Sequence, residues 1–472
     1  MTEHNRRSFI AGGALSAAGV LSARQALGRP ETPITSGTLV GMGADLGPPR
    51  SNDLEVSTRV HSPDVAGLPF TRQGDVKVFH MVAEVCQRSF LPGWRFDTWG
   101  YNGSTPGPTI EVHEGDRVRI VVENRLPEIT SMHWHGLEVP IDMDGVPGVT
   151  QDPIAPGETF VYEFELHQHG TFFYHSHMAM QEMMGMVGLF IVHPLQPQTP
   201  PVDRDFGLVL QEWAILPDNS VPNSLSMEFN WLTLNGRSGP HTTPLIVRHG
   251  DRVRLRFVNL GMDHHPMHLH GHTWVTTGTE GGRIPETAWI PGNTELVGVA
   301  QARDVEFVAD NPGDWMLHCH LPHHMMNHMA SMVGPMQAMR GIVPGGGMDA
   351  GMGVAGGAAL SAENGPSMGR AIGLGAMRDR PISNLPMNSS EQEHSTAGAR
   401  QVPGFPQDHF MAMDAMVAKP ETHGMRPTWS GGSMGMMTIL RVLEGDLYDE
   451  VEALRNQAEP PSTSLSTGGG SQ

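Results

Sequence analysis

Four short histidine-rich clusters hold the residue types in this sequence that could do chemistry. They are HWH at 133–135, HSH at 175–177, HPMHLH at 265–270 and HCH at 318–320. Side chains alternate between the two faces of a β-strand, so the two histidines of each HxH pair point the same way. In the last cluster the alternation turns Cys319 away from His318 and His320. One strand could therefore offer a thiolate to one metal ion and imidazoles to others.

The ligand types favour copper over zinc. Two histidines, one cysteine and a weak methionine ligand describe a blue-copper electron-transfer site, and clustered histidines without carboxylates suit further copper ions. A structural zinc site needs four ligands and usually more cysteines, whereas this chain has 26 histidines and 2 cysteines. The two histidines of a single HxH motif commonly lie on a strand and face the solvent without binding a metal. Solvent exposure does not explain four such clusters in one chain.

The segments around the clusters have the pattern of short β-strands. From about residue 77 to 195, runs such as TIEVHEGDRVRIVVEN alternate apolar and polar residues between Gly-containing turn signals. The pattern repeats from about 203 to 342. The matching segments are VHEGDRVRIVVEN at 112–124 with VRHGDRVRLRFVN at 247–259, and HGTFFYHSH at 169–177 with PGDWMLHCH at 312–320. The sequence therefore predicts an all-β protein with two related domains.

With their flanking residues, the clusters resemble the copper signatures of the multicopper oxidases, the laccase-like group. The motifs are HWHG, YHSH, HPMHLHGH and HCHLPHHMMNHM, and the resemblance covers residues 80 to 340 approximately. It implies cupredoxin-like Greek-key β-sandwiches and four coppers per functional unit. The implied ligands are His265, Cys319, His324 and axial Met329 for the type 1 copper, His133 and His268 for type 2, and His135, His175, His177, His270, His318 and His320 for the type 3 pair.

The spacing of the signatures predicts two cupredoxin domains. Ordinary three-domain members place a whole domain between the second and third signatures, but only 88 positions separate His177 from His265. We expect domain 1 at 77–196 and domain 2 at 203–342. Domain 1 would lack a type 1 copper, because it has a serine at the position that Cys319 holds in domain 2. This pattern resembles the two-domain small laccases, which implies a homotrimer whose trinuclear copper clusters lie between neighbouring chains.

The resemblance implies an oxidase. A reducing substrate would lose single electrons at the type 1 copper, and Cys319 would pass them to a trinuclear cluster that reduces oxygen to water. Asp144 is similar to the acid that the family uses to deliver protons. Phenols, aromatic amines, Cu(I) and Mn(II) all remain possible substrates, and the 32 methionines keep Cu(I) among them because thioethers prefer soft cations.

Two other classes of protein use similar residues. A copper-binding detoxification protein would hold Cu(I) through its methionines without turnover. A copper nitrite reductase also has two cupredoxin domains, but it needs only a mononuclear three-histidine site beside its type 1 copper. The eight cluster histidines exceed what either alternative requires.

The ends of the chain suggest export and an accessory tail. Residues 1–28 resemble a twin-arginine export signal, since Arg6 and Arg7 precede a short apolar run, and this indicates a periplasmic or secreted protein. Residues 29–76 are predicted to be an arm. Residues 343–472 are rich in Gly and Met and predict a mostly irregular tail with a docking helix near 436–455. A formal charge of −20 argues against nucleic-acid or anionic membrane partners, and the apolar run is too short to span a bilayer.

Overall fold

The computed structural model describes residues 58–215, 219–225, 227, 229–325 and 412–458. Its strands, in chain order, are β1 (Val60–His61), β2 (Phe70–Gln73), β3 (Val76–Leu91), β4 (Trp94–Tyr101), β5 (Gly107–His113), β6 (Arg117–Asn124), β7 (His133–His135), β8 (Thr159–Glu165), β9 (Gly170–His175), β10 (Val187–His193), β11 (Arg204–Trp213), β12 (Trp231–Leu234), β13 (Leu245–Arg248), β14 (Arg252–Asn259), β15 (His265–Leu269), β16 (Trp274–Thr279), β17 (Gly282–Arg283), β18 (Ile290–Gly292), β19 (Thr294–Val297), β20 (Gln301–Val308), β21 (Gly313–Cys319) and β22 (Met437–Leu443). The all-β prediction is confirmed.

Helices are few among these residues. The single α-helix of the described part, α1, spans Gly445–Ala458, and short 3-10 helices cover Ile141–Met143, Glu182–Met184, Glu286–Ala288, Pro322–Met325, Pro420–Thr422 and Trp429–Gly432. None of the helices in the described ranges is long and apolar enough to cross a membrane.

The first domain is a sandwich of two sheets. One sheet has the order β2-β3-β6-β8 with β4 beside β3, and the other has the order β5-β10-β9-β7. Strands such as β6 alternate buried and partly exposed residues, because one face of the sheet covers the core. The core includes the fully buried Phe79, Trp134 and Tyr162. The strands that carry HWH and HSH are neighbours in this sandwich, since β7 pairs with β9.

The second domain repeats the arrangement. Its larger sheet has the order β1-β11-β14-β20-β16-β17, with β12 beside β11 and β18 beside β16, and the facing sheet has the order β13-β22-β21-β15-β19. The strands that carry HPMHLH and HCH, β15 and β21, pair in an antiparallel fashion. Phe173 and Leu189 of the first domain pack with Val209 and Val258 of the second in a buried apolar cluster, which holds the two domains together.

The described parts of both flanking segments pair with strands of the two sandwiches, and one prediction is corrected. Within the predicted arm 29–76, β1 pairs with β11 of the second domain and β2 with β3 of the first. In the predicted tail 343–472, the prediction of a docking helix near 436–455 is wrong for the first part of that range, because Met437–Leu443 is a strand between β13 and β21. All seven residues of β22 are buried. A short apolar run buried on both faces has no periodicity that distinguishes a strand from a helix.

Candidate copper centre

The predicted type 1 residues converge in the core of the second domain. His265 begins β15, Cys319 ends β21, and His324 lies in the 3-10 helix that follows. Cys319 Sγ lies 3.8 Å from His265 Nδ1 and 3.6 Å from His324 Nδ1, and the two Nδ1 atoms are 3.1 Å apart. All three side chains are fully buried. Two imidazoles and one thiol that converge in this way match the ligand set of a blue-copper site.

Burial keeps these three groups neutral in the absence of a cation. It lowers the pKa of His265 and of His324 to about 3 and raises the pKa of the Cys319 thiol to about 12. Neutral imidazoles are the form that binds a metal, and a thiol becomes a ligand when the incoming ion displaces its proton to the solvent. The group therefore fits a copper ion in both geometry and protonation.

A methionine that the sequence analysis missed lies against this group. Met436 N–H donates to the His324 carbonyl at 2.9 Å, and Cys319 N–H donates to the Met436 carbonyl at 3.0 Å. The Met436 side chain is fully buried in the same core cluster as Cys319. The predicted axial ligand, Met329, lies outside the described residues, so its assignment stays a prediction. Local spacing could not have found Met436, because 112 positions separate it from His324.

The histidines of the first domain form one compact set. His133 and His135 on β7 face the end of β9, where His133 is the register partner of His175. His135 Nδ1 lies 3.4 Å from His175 Nε2, and the rings of His133 and His177 are 5.4 Å apart. Burial is the largest cause that lowers the pKa of His135 to about 4 and that of His175 to about 3. His133, His135 and His175 bring their nitrogens close enough to share an ion.

The second domain carries a matching set. His268 on β15 is the register partner of His318 on β21, and His270 Nε2 lies 3.0 Å from His318 Nε2. The rings of His268 and His320 are 5.4 Å apart. Among the described residues, hydrogen bonds and ring contacts join histidines within each set, and none joins the two sets. The eight histidines are therefore present as two separate half-sites.

Backbone carbonyls orient the histidines in both sets. His175 Nδ1 is 2.8 Å from the Ser176 carbonyl, and His318 Nδ1 is 2.9 Å from the Cys319 carbonyl. A second histidine in each set is oriented in the same way. The Asp144 carbonyl lies 2.7 Å from His133 Nδ1, and the Asn293 carbonyl lies 2.7 Å from His268 Nδ1. A carbonyl that accepts the Nδ1 proton leaves Nε2 free to bind a metal, so these four imidazoles are held in the ligating tautomer.

Three carboxylates lie beside the predicted ligands. Asp144 Oδ1 is 3.4 Å from His133 Nδ1, which is compatible with the predicted proton-delivery role without testing it. Glu212 and Asp263 were not predicted: Glu212 Oε2 is 3.5 Å from His265 Nε2, and Asp263 Oδ2 is 3.5 Å from His324 Nε2. Burial raises the pKa of Glu212 to about 7. A glutamate inside the apolar run of β11 was a signal in the sequence, since buried strands rarely contain an unpaired charge.

Comparison with known proteins identifies the family. Two multicopper oxidase family models match, one over residues 84–197 and the other over residues 216–336. The first match runs from within β3 to beyond β10 and the second from before β12 to beyond β21, so each includes one of the two histidine sets. The chain belongs to the multicopper oxidase family and has two domains of that family.

Similar proteins include a copper resistance protein A homolog of Pseudomonas syringae pv. tomato, 40% identical over 137 residues, or 29% of this chain and 23% of that protein. Laccase-2 of Botryotinia fuckeliana is 33% identical over 258 residues, or 48% of this chain and 43% of that protein. The crystal structure of a blue copper oxidase from Nitrosomonas europaea matches with a TM-score of 0.49 and 34% identity, covering 53% of this chain and 81% of that one. The chain spans less than half the length of the two curated relatives.

Proposed function

We propose that this protein is a copper-dependent oxidase that couples one-electron oxidation of a reducing substrate to four-electron reduction of oxygen to water. The observation that carries the proposal is the position of Cys319 between two groups of predicted metal ligands. Its side chain belongs to the buried group with His265 and His324, while its two neighbours, the buried His318 and the exposed His320, belong to the histidine set of the second domain. One copper at the buried group would accept single electrons, and three coppers among the eight histidines would supply the four-electron chemistry.

The residues of the chain divide the work between them. His324 links the buried group to the surface, because Asp263 beside its Nε2 is partly exposed. The Cys319 backbone and side chain give electrons a covalent path to both neighbouring histidines. Asp144 holds a carboxylate at the His133 ring, where it can pass protons inward. In this proposal the buried Met436 side chain would offer a weak thioether to that copper, since the Met436 backbone is hydrogen-bonded to both His324 and Cys319.

We further propose that the protein works as a homotrimer. The two half-sites are partly exposed, and each offers four histidines with no partner set in the described part of its own chain. A cavity of about 380 Å³ lies beside His268 and His270. A closed ring in which domain 1 of one subunit meets domain 2 of the next would complete each trinuclear site.

The place of action follows from the N-terminal sequence. The twin-arginine pattern within residues 1–28, which lie outside the described residues, supports export to the periplasm or beyond. The similarity to a copper resistance protein and to a laccase supports a metal ion, such as Cu(I) or Mn(II), or an organic reductant, such as a phenol or an aromatic amine, as the reducing substrate.

Oxygen consumption tests the proposal. Copper-loaded protein is supplied in turn with a phenol, an aromatic amine, Cu(I) and Mn(II), while oxygen uptake and copper content per chain are measured. We expect about four coppers per chain and uptake with at least one of these reductants. The Cys319→Ser variant should lose both the blue absorption and the uptake but keep the other coppers. Copper binding without oxygen uptake would instead support the sequestering protein, and uptake unaffected by Cys319→Ser would contradict the electron path.

A further inference from the structure

The strands that carry the two histidine sets pair in the same register in both domains. In the first domain His133 on β7 is opposite His175 on β9, and in the second His268 on β15 is opposite His318 on β21. Both pairs of strands are antiparallel, and they carry the repeated histidine motifs in the same order. The surroundings of the two sets can therefore be compared position by position.

Three buried polar residues of the first domain stand at the positions of the buried ligand group in the second. Counted from the paired histidines, the equivalent residues are Thr130 with His265, Ser176 with Cys319, and Gln181 with His324. The hydroxyls of Thr130 and Ser176 both donate to Gln181 Oε1, at 2.8 and 2.6 Å, and the two hydroxyl oxygens are 3.3 Å apart. None of these three residues is more than 1% exposed. They converge in the core of the first domain as the ligand group does in the second.

A buried methionine lies against both groups in the same way. In the first domain, Ser176 N–H donates to the Met186 carbonyl at 3.2 Å, and Met186 N–H donates to the Gln181 carbonyl at 3.4 Å. In the second domain Met436 makes the same two backbone hydrogen bonds, with the cysteine and the second histidine of the buried ligand group. Both methionine side chains are fully buried. The first domain thus has all four positions of the proposed type 1 site and differs in the side chains at three of them.

A carboxylate also lies beside each group. Gln181 Nε2 donates to Glu128 Oε1 at 3.0 Å and to the Ile129 carbonyl at 2.9 Å, and Asp263 Oδ2 lies 3.5 Å from His324 Nε2 in the second domain. The Gln181 amide therefore has hydrogen-bond partners on both its oxygen and its nitrogen. Buried polar groups are tolerated when such bonds are made, so the network needs no ion to hold it together.

We propose that the first domain contains a closed copper site, in which this hydrogen-bond network occupies the place of the metal. Hydroxyl and amide oxygens suit hard cations, whereas blue-copper sites use thiolate, thioether and imidazole ligands. Three side chains therefore keep copper out of a pocket whose backbone has the arrangement of a type 1 site. The inference rests on the oxidase proposed above, because it leaves that enzyme with one electron-accepting copper per chain.

An ordinary polar network in the core is the alternative explanation, since buried hydroxyls commonly find such partners. An ordinary network needs no particular position in the fold. Here the three polar residues, the methionine and the carboxylate all coincide with the surroundings of the ligand group in the second domain. Only a pocket of matching shape will bind copper once the three ligands are introduced, and this difference separates the two explanations.

The first test transfers the three ligands of the second domain into the first. The ligand-transfer variant carries Thr130→His, Ser176→Cys and Gln181→His in a chain that also carries Cys319→Ser, which removes the thiolate of the second domain. We expect it to bind about one copper more per chain than Cys319→Ser alone and to gain an intense blue absorption. The matched control carries the same substitutions except Ser176→Cys and should show no blue band.

The second test is the reciprocal exchange, which decides the matter if the ligand-transfer variant does not fold. One chain carries His265→Thr, Cys319→Ser and His324→Gln, and its companion differs only by His324→Leu. Both are melted without metal. We expect the chain with glutamine to melt at least about 4 °C higher, because leucine leaves two buried hydroxyls without their acceptor.

Two results would overturn the inference. One is a folded ligand-transfer variant with no blue band or no extra copper, since the pocket would then lack the shape of a copper site. The other is an equal melting temperature of the two reciprocal variants, since the network would then not be able to occupy the place of the ligand group. Neither readout depends on oxygen uptake, so a failure of the proposed oxidase would leave both tests valid.

Discussion

His265, Cys319 and His324 illustrate how burial prepares a metal site before the metal arrives. Desolvation holds the two imidazoles neutral and the thiol protonated, so two imidazoles that would repel each other as cations are packed against each other and against the thiol within 3.8 Å. The resemblance of HPMHLHGH and HCHLPHHMMNHM to the copper signatures of the family was enough to predict this group from the sequence. The carboxylates of Glu212 and Asp263 were not predicted, since neither lies at a fixed spacing from a signature histidine.

Exchange of the proposed axial methionine should change the type 1 potential without removing the site. Met436→Leu keeps the buried volume but replaces the thioether with a group that cannot bind copper, and the axial ligand tunes the potential of blue-copper sites. We expect the blue band to persist, with a higher reduction potential measured by redox titration. Met329→Leu is the matched control and should leave the potential unchanged. An unchanged potential in Met436→Leu together with a raised potential in Met329→Leu would instead identify Met329 as the ligand.

Removal of the carboxylate of Asp144 should slow oxygen reduction regardless of the reductant. Asn keeps the size of the side chain and the backbone carbonyl that orients His133, but it cannot transfer a proton. We expect kcat to fall on the order of a hundredfold for a phenol and for any metal substrate alike, with copper content unchanged. Asp142→Asn, which changes an exposed acid on the same loop, should have little effect. An unchanged kcat in Asp144→Asn would exclude the proton-delivery role.

At the scale of secondary structure, β22 shows where prediction from the sequence stops. The strands that carry the four clusters were predictable because alternation and turn signals coincide with motifs there. β22 lies more than a hundred positions beyond β21, yet the two pair from Gly313–Val442 to His318–Met437. Nothing local in MTILRVL identifies its partner strands, because a run buried on both faces lacks a polar side. The contact of Met436 with His324 and Cys319 was missed for the same reason.

A chain that ends after Arg340 should fail to form the second domain. Truncation there removes β22, which lies between β13 and β21, and leaves both strands without a partner on one side. Each buried Leu, Ile, Val or Met contributes about 1.5–3 kcal/mol, so the loss is comparable to the whole stability of a domain, about 5–15 kcal/mol. We expect aggregation or loss of type 1 copper, measured by solubility and absorption. A chain that ends after Ala458 is the control and should match the wild type. A soluble, blue Arg340 product would contradict the role of β22.

At the scale of the whole molecule, the proposed trimer would make assembly part of the chemistry, because each half-site would need a partner set from a neighbouring chain. Mixed trimers can test this with a His135→Ala chain and a His318→Ala chain, each inactive alone. An interface contains no mutated ligand when the His318→Ala chain supplies domain 1 and the His135→Ala chain supplies domain 2. Random mixing makes about a quarter of the interfaces intact in a closed ring.

We therefore expect about a quarter of the wild-type oxygen uptake after the two chains are unfolded and refolded together with copper. The control is the same treatment of each variant alone, which should give no recovery. Failure of the mixture to recover, or full activity in a monomeric wild-type fraction, would place all eight histidines in one chain.

The pairing of β22 with β21 also sets the order in which the two domains can fold during synthesis. Every strand of the first sandwich is available once residue 193 has been synthesised, whereas the facing sheet of the second stays incomplete until Leu443 has left the ribosome. Domains that can fold during synthesis do so from the N-terminus. The first domain is thus free to fold while translation continues, and the second must wait for the last part of the chain. The proposed electron-accepting copper would therefore bind only after β22 has been synthesised and has joined β21.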